Sequence, residues 1–134
     1  MRSHRARDLL FGLGALGVIA IAVALEPSPT GWGTHQKLML PPCYFRMLTG
    51  EPCATCGLTT SFCHMARARV GAAFHANPAG LVLFPATLVF GLYALAGAVS
   101  RRSYIERILA FGGTKAWLVI LPALALLWAW QIFH

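Results

Sequence analysis

Three long runs of apolar residues, none of which contains a charged side chain, constrain this sequence more than any other feature. The runs cover residues 9–25, 79–99 and 116–133, and they are 17, 21 and 18 residues long. A helix of about 20 apolar residues spans a ~30 Å hydrocarbon core, and a backbone inside lipid must satisfy its own polar groups. The sequence therefore predicts an all-α membrane protein with three transmembrane helices.

Charged residues make up 11% of the 134 residues, whereas a soluble domain carries about 25%. So few charges cannot cover the surface of a water-soluble enzyme, and the high apolar content excludes intrinsic disorder. The net charge is +7, but basic residues in an apolar chain mark the flanks of membrane spans rather than a nucleic-acid site. We expect one membrane domain, residues 1–134, surrounded by the lipid bilayer and without a nucleic-acid partner.

The distribution of the basic residues predicts the orientation of the chain. With a cytoplasmic N-terminus, seven basic residues lie inside and four outside, which agrees with the positive-inside rule. The inner seven are Arg2, Arg5, Arg7, Arg101, Arg102, Arg107 and Lys115, and the outer four are Lys37, Arg46, Arg67 and Arg69. The first run also has the basic start and small-residue site (22–24) of a signal peptide, and we expect it to be a retained signal anchor.

The segment 26–78, between the first two runs, holds all four cysteines. Its start is rich in Pro, Gly and Thr, which predicts an extended loop, and Thr49-Gly50 predicts a tight turn. From Leu58 to Phe74, apolar residues recur at steps of three and four, which predicts an amphipathic helix on the membrane surface or against the helical bundle. Asn77-Pro78 is typical of a helix start, in which Asn77 caps the second span.

The cysteine spacing is compatible with a metal site. Cys53 and Cys56 have the C-x-x-C spacing that brings two thiolates to one zinc ion, and Cys43 can supply a third. His64 and His35 are candidates for a fourth ligand. Cys63 cannot share a zinc with Cys56 on one continuous helix, because about 10 Å of helix axis would separate them. The sequence identifies no cofactor beyond this candidate zinc.

Two other interpretations of the cysteines remain open. Cys53 and Cys56 can act as a redox-active dithiol, since a helix N-terminus favours the thiolate and the outer side of the membrane is oxidising. Alternatively, a disulfide between two of Cys43, Cys53 and Cys56 staples the loop, and Cys63 is then a small apolar residue of the following helix.

The cysteine segment resembles the bacterial domain of unknown function 2752. The shared pattern is Cys43-x-Phe45-x-x-Leu48-Thr49-Gly50-x-Pro52-Cys53-x-x-Cys56-Gly57-Leu58-Thr59, followed by Asn77-Pro78. Tyr44 and Ala54 stand where the family usually has proline, and Thr60 stands where it has arginine. The resemblance implies a core of Cys43, Cys53 and Cys56 with Cys63 as an extra cysteine, a bacterial inner membrane, and no particular activity.

The motifs of phosphate loops, zinc peptidases and α/β-hydrolases do not occur, and no ionisable residue lies within the three runs. We therefore expect a non-catalytic accessory subunit of a larger membrane complex, whose outer segment is stapled by a disulfide or a metal and binds protein partners. The alternative is a membrane thiol-disulfide oxidoreductase that uses Cys53 and Cys56.

Overall fold

The computed structural model describes residues 2–100 and 114–133, and every regular element within these ranges is a helix. The elements are α1 (Arg2–Ala24), a 3₁₀ helix (Thr34–Leu38), α2 (Tyr44–Thr49), α3 (Leu58–Met65), α4 (Val70–Ala76), α5 (Ala79–Ser100) and α6 (Thr114–Phe133). The prediction of an all-α fold is confirmed. Arg101, Arg102 and Arg107, which the orientation argument uses, lie outside the described residues.

Two helices are long and apolar enough to cross a membrane, His4–Ala24 within α1 and Ala79–Ser100, which is α5. They cover the predicted spans 9–25 and 79–99. The third predicted span, 116–133, falls on α6, in which the described apolar stretch is Leu118–Trp130. Among the described residues, two of the three predicted spans therefore have the length and composition of a span.

α1 and α5 pack against each other as an antiparallel pair, because Gly12 lies beside Leu95 and Leu16 beside Gly91. A Cβ atom added at Gly12 would come within 2.8 Å of Leu95 Cδ2, and one at Gly91 within 3.1 Å of Leu16 Cδ2. Small residues let membrane helices approach closely. A side chain at either position would displace a leucine of the partner helix, so glycine favours the close approach of the two helices.

α3 closes one end of this helix pair and contacts α1, α4 and α5. Phe62 and Cys63 of α3 form a buried cluster with Ala22 of α1. The Phe62 ring also meets the Phe84 ring of α5 edge to face, with centroids 5.5 Å apart, a favoured geometry for aromatic pairs. The segment between α1 and α5 is therefore anchored on the end of α1 and the start of α5.

The predicted amphipathic helix is two helices, α3 and α4, separated by residues 66–69. Ala68 adopts a left-handed conformation (φ 55°), which ends the regular helix. The break lets α4 fold back on α3, where Ser61 Oγ donates a hydrogen bond to Ala73 O at 2.9 Å. Of the two placements that the pattern allowed, packing against the protein fits α3, since its apolar face is buried among α1 and α5 rather than exposed.

The loop before the cysteines is more ordered than its composition predicts. It contains the 3₁₀ helix, and Thr34 is fully buried against Thr60 of α3, with a 2.7 Å hydrogen bond between the two hydroxyl groups. The Ser28 N–H donates to the same Thr34 oxygen at 2.9 Å. Thr60 is also fully buried, and Thr34 supplies the polar partner that its hydroxyl group needs there.

Arg67 joins the break between α3 and α4 to the end of α1. Its guanidinium donates to three backbone carbonyls, Ala22 O at 3.3 Å, Val23 O at 3.1 Å and Cys63 O at 2.9 Å. The last carbonyls of a helix have no partner within the helix, and a cation there also interacts favourably with the helix dipole. Arg67 therefore caps α1 from a distant part of the chain.

Arg67→Gln is expected to lower the free energy of unfolding by about 2 kcal/mol, because hydrogen bonds from a charged donor contribute about 1.5–3 kcal/mol. Arg67→Lys keeps the charge but not the several donors of the guanidinium, and it is expected to lower the free energy of unfolding by about half as much. The measurement is denaturant unfolding in detergent, with the exposed Arg69→Gln as matched control. Equal losses at the two positions would contradict the capping role.

Candidate functional site

The structure brings together the three thiols that the sequence predicts as metal ligands. Cys53 Sγ lies 3.3 Å from Cys43 Sγ and 3.0 Å from Cys56 Sγ, and the three sulfur atoms are all within 4.8 Å of one another. Cys56 is buried, and Cys43 and Cys53 are half-buried. The four cysteines, all within the described residues, are thiols in this structure. We call Cys43, Cys53 and Cys56 the thiol cluster.

The backbone around Cys53 and Cys56 forms a turn that ends at the start of α3. The Cys56 N–H donates to Cys53 O at 2.9 Å, which directs both side chains to the same side of the turn. Cys43 reaches the cluster from the first residue before α2. α2 then ends at Gly50, whose φ of 78° reverses the chain and returns it to Cys53, and this turn was predicted from Thr49-Gly50.

Gly57 follows Cys56 and lies where no side chain fits. Its φ is 80°, in the left-handed region that favours glycine. A Cβ atom at this position would overlap the carbonyl oxygen of Ala76 and come within 3.0 Å of Gly31 O. The cysteine turn can therefore pack directly on the backbone at the end of α4, and this close approach fixes where α3 begins.

Asn77 holds the cysteine turn against the start of α5. Its Oδ1 accepts a hydrogen bond from the Ala79 N–H at 2.9 Å, which is the cap predicted from Asn77-Pro78. Its side-chain amide also donates to Ala54 O at 3.1 Å and to Cys56 O at 3.0 Å. Asn77 is only 1% exposed, and its three hydrogen bonds, two of them buried, link the thiol cluster to a candidate membrane span.

Two thiols of the cluster, Cys53 and Cys56, have very different pKa values. Burial raises the pKa of Cys53, but hydrogen bonds from the Thr55 hydroxyl, Cys56, Cys43 and the Thr55 backbone outweigh it and lower that pKa to about 7. Burial, followed by the side-chain contacts with Cys53 and Cys43, raises the pKa of Cys56 to about 12, against a smaller lowering by the backbone hydrogen bond with Cys53. Donation to one sulfur stabilises its thiolate at the expense of the donor. The metal-free cluster therefore carries its negative charge on Cys53.

Alkylation of the metal-free protein is expected to follow this difference. Iodoacetamide attacks the thiolate, so the rate at Cys53 rises with pH and reaches half of its plateau near pH 7. Cys56 stays slow up to pH 9, because its pKa of about 12 keeps it protonated. Peptide mass spectrometry of the EDTA-treated protein measures both rates. A Cys53 profile with its midpoint near pH 9 would contradict the assignment.

A cavity of about 270 Å³ borders the thiol cluster. Cys43 and Cys56 line it together with His35, and the Arg46 guanidinium lies over the Trp32 ring at 3.1 Å from the ring centroid. Of the two histidines predicted as a fourth ligand, His35 is therefore the one beside the cluster. Neither histidine belongs to the group of atoms within 4.8 Å, so the fourth position stays a prediction.

The other predicted residues lie away from the cluster. His64 is on α3, where burial and then Arg69 and Arg67 lower its pKa, and it does not line the cavity. Cys63 is fully buried in the core beside Ala22 and Phe62. Cys63 is thus a small apolar residue, as one of the sequence interpretations held, and burial raises its pKa.

Sequence reasoning missed the residues that assemble the site from outside the cysteine motif. Asn77 was predicted as a cap alone, and its contact with the cysteine turn carries no local signal because 21 residues separate it from Cys56. Trp128 of α6 also contacts the cysteine turn, because its indole N–H donates to Pro52 O at 3.3 Å. The Phe45 ring packs edge to face against the same indole, with centroids 6.3 Å apart.

In comparison with known proteins, part of the chain is similar to a known family. Residues 43–91 match the model of a family described as protein of unknown function (DUF2752). No curated protein and no solved structure matches the chain. The matched region begins at the first thiol of the cluster and ends within α5, so it contains the whole cysteine turn, Gly57 and Asn77. The resemblance predicted from the cysteine motif is thereby confirmed for residues 43–91.

Proposed function

We propose that this chain is a small integral membrane protein whose outer segment is folded around a zinc ion held by Cys43, Cys53 and Cys56. The observation that carries the proposal is the convergence of three sulfur atoms within 4.8 Å of one another. A disulfide uses only two sulfurs, whereas a zinc site uses three or four.

The distances within the cluster support zinc in particular. Tetrahedral zinc with Zn–S bonds of about 2.3 Å holds its sulfurs about 3.8 Å apart, and the observed separations from Cys53 are 3.3 and 3.0 Å. Changes of less than 1 Å bring the thiols to that geometry, and side-chain rotation suffices for them. Thiolate ligands also favour zinc over calcium or magnesium, which prefer oxygen.

The exposed apolar surface of α1 and α5 supports a membrane location. Only 17% and 22% of the residues in their candidate spans are buried within the protein, so these are not core helices of a soluble fold. Large apolar side chains point outward along α5, among them Val82, Val89 and Leu92. Removing this apolar surface from water by burial in lipid is favourable by about 25 cal/mol per Å².

The remaining features of the proposal follow from the charge distribution and the composition. Seven inner against four outer basic residues favour a cytoplasmic N-terminus in a bacterial inner membrane, with α6 as a third span and the thiol cluster outside. No set of catalytic side chains accompanies the cluster in the sequence. We therefore propose a non-catalytic accessory subunit, in which the zinc-bound segment is the docking module for protein partners of a larger complex.

Metal analysis of the full chain, purified in detergent under reducing conditions, tests the zinc site. About one zinc per chain is expected, and Cys43→Ser, Cys53→Ser and Cys56→Ser are each expected to reduce the zinc content to near zero. Cys63→Ala is the matched control, because it removes a buried thiol outside the cluster and should leave the zinc content unchanged. Wild-type protein without zinc, but with three titratable thiols, would refute the proposal.

A second candidate is suggested by the central position of Cys53, which lies within 3.3 Å of both other thiols of the cluster. In a thiol-disulfide oxidoreductase, the Cys53 thiolate attacks a substrate disulfide, and one substrate sulfur leaves as a thiolate. Cys56 then loses its proton and attacks Cys53, which releases the second substrate thiolate and forms a Cys53–Cys56 disulfide. An external dithiol reductant returns both cysteines to thiols.

The two candidates differ in the behaviour of Cys56→Ser. The oxidoreductase predicts that this variant accumulates a mixed disulfide between Cys53 and a substrate protein, visible on a non-reducing gel and absent in a Cys53→Ser, Cys56→Ser double variant. The zinc site predicts metal loss without an adduct. An absent adduct, together with a wild-type disulfide that resists mild reductant, would reject the oxidoreductase.

A further inference from the structure

Residues 39–48, which we call the apolar segment, expose large apolar side chains at the mouth of the cysteine site. The exposed fractions are 95% for Met39, 52% for Leu40, 73% for Tyr44, 67% for Met47 and 84% for Leu48. Contiguous exposed apolar surface marks an interaction site rather than a surface adapted to water. This segment therefore needs a partner that the described chain does not supply.

The helix that begins within the segment, α2, has one face toward the protein and one exposed apolar face. On the inner side, Arg46 lies over Trp32 and Phe45 packs against Trp128. Tyr44 and Leu48 are four residues apart and share an exposed face of α2, and Met47 is exposed beside them.

The apolar segment begins where the exposed surface of a candidate span ends. Leu38, the residue before it, lines a groove of about 220 Å³ together with Val18 and Ile21 of α1. Val18 and Ile21 are themselves exposed on the span, at 48% and 45%. The apolar surface is thus continuous from the last turns of α1 to the start of the segment.

The charge of the surrounding chain is complementary to an acidic lipid surface. Between Glu26 and Glu51 the sequence contains no acidic residue, and it carries Lys37 and Arg46. Basic residues beside apolar side chains are typical of segments that lie in the membrane interface. We propose that residues 39–48 form an interfacial segment that inserts its apolar side chains at the headgroup–acyl boundary of the bilayer, beside the end of α1. This inference rests on the proposed membrane location.

Methionine methyl groups provide a direct test, because Met39 and Met47 lie in the segment and Met65 lies at the end of α3. The full chain is labelled with ¹³C-methyl methionine and placed in nanodiscs of phosphatidylcholine and phosphatidylglycerol, and Met39→Leu and Met47→Leu assign the signals. A lipid with a nitroxide near the top of its acyl chain is expected to broaden the Met39 and Met47 methyl signals beyond detection. A water-soluble gadolinium chelate is expected not to broaden them, and the Met65 signal is the internal reference.

The outcomes test the interfacial segment separately from the membrane location on which it rests. A chain that is extracted from membranes by alkaline carbonate is not an integral membrane protein, which refutes the membrane location itself. A chain that resists extraction but loses its Met39 and Met47 signals to the chelate overturns only the interfacial segment. Signals that resist both reagents also overturn it, because a second protein or a second copy of the chain then covers the surface.

Discussion

Gly57→Ala is expected to lower the free energy of unfolding by about 3 kcal/mol and to abolish assembly of the thiol cluster. The left-handed backbone at φ 80° costs a non-glycine residue about 1–2 kcal/mol, and an added methyl group in a packed site costs about 1–3 kcal/mol. The new Cβ atom would meet Ala76 O and Gly31 O, which are backbone atoms. They cannot turn aside as a flexible side chain does, so the cysteine turn must move.

Gly50→Ala is the matched control for this variant. Gly50 has nearly the same φ, 78°, but no atom lies within 4 Å of the position of its Cβ. Gly50→Ala is therefore expected to lower the free energy of unfolding by about 1 kcal/mol, through the backbone conformation alone. Denaturant unfolding in detergent measures both losses, and zinc content or Cys56 alkylation reports the cluster. Equal losses for the two variants would show that the contact of Gly57 with α4 has no energetic role.

Asn77→Ala is expected to destabilise the protein by a similar amount, about 3 kcal/mol. Loss of the cap on α5 costs about 1 kcal/mol, and the buried Cys56 carbonyl left without the amide donor costs about 1–3 kcal/mol. The second acceptor of the amide, Ala54 O, is only partly buried, so water can replace the lost donor there. The substitution should therefore also release the cysteine turn from α5.

Asn77→Ser separates the two roles of this side chain. Serine is as good a cap as asparagine, but its hydroxyl is too short to reach the cysteine turn as well. We expect Asn77→Ser to recover about 1 kcal/mol of the loss in unfolding free energy, measured as for Gly57. Both variants are expected to expose Cys56, which is 7% exposed in the wild type, to faster alkylation. If Cys56 stays protected from alkylation in both variants, Asn77 does not hold the cysteine turn.

The sequence predicted the elements whose signals are local. α1 and α5 follow from uncharged apolar runs, the α5 cap from Asn77-Pro78, and the chain reversal from Thr49-Gly50. The three cysteines were predicted as a set from their spacing and from the family motif. Each of these features depends on hydrophobicity, backbone preference or spacing over a few residues, all of which can be read along the chain.

The errors and omissions have a common physical cause. The pattern from Leu58 onward predicted one helix, because the periodicity continues through residues 66–69. The structure breaks the helix there because Arg67 contacts α1 and Ser61 contacts α4. The same pattern allowed a helix on the membrane surface or against the helical bundle, and only the contacts of α3 with α1 and α5 decided for the second. The exposed apolar face belongs to α2, a helix that the sequence did not predict.

By itself, the sequence predicted a helical protein with three apolar runs, two of which form helices long and apolar enough to cross a membrane, and with its distinctive chemistry in the cysteines between the first two runs. Only the tertiary structure decided that the three sulfurs meet and that Asn77 and Gly57 fix the turn that carries two of them. The physical reason is that hydrophobic periodicity is a property of neighbouring residues. The meeting of Cys43, the cysteine turn and the start of α5 depends instead on backbone contacts between residues that are distant in the chain.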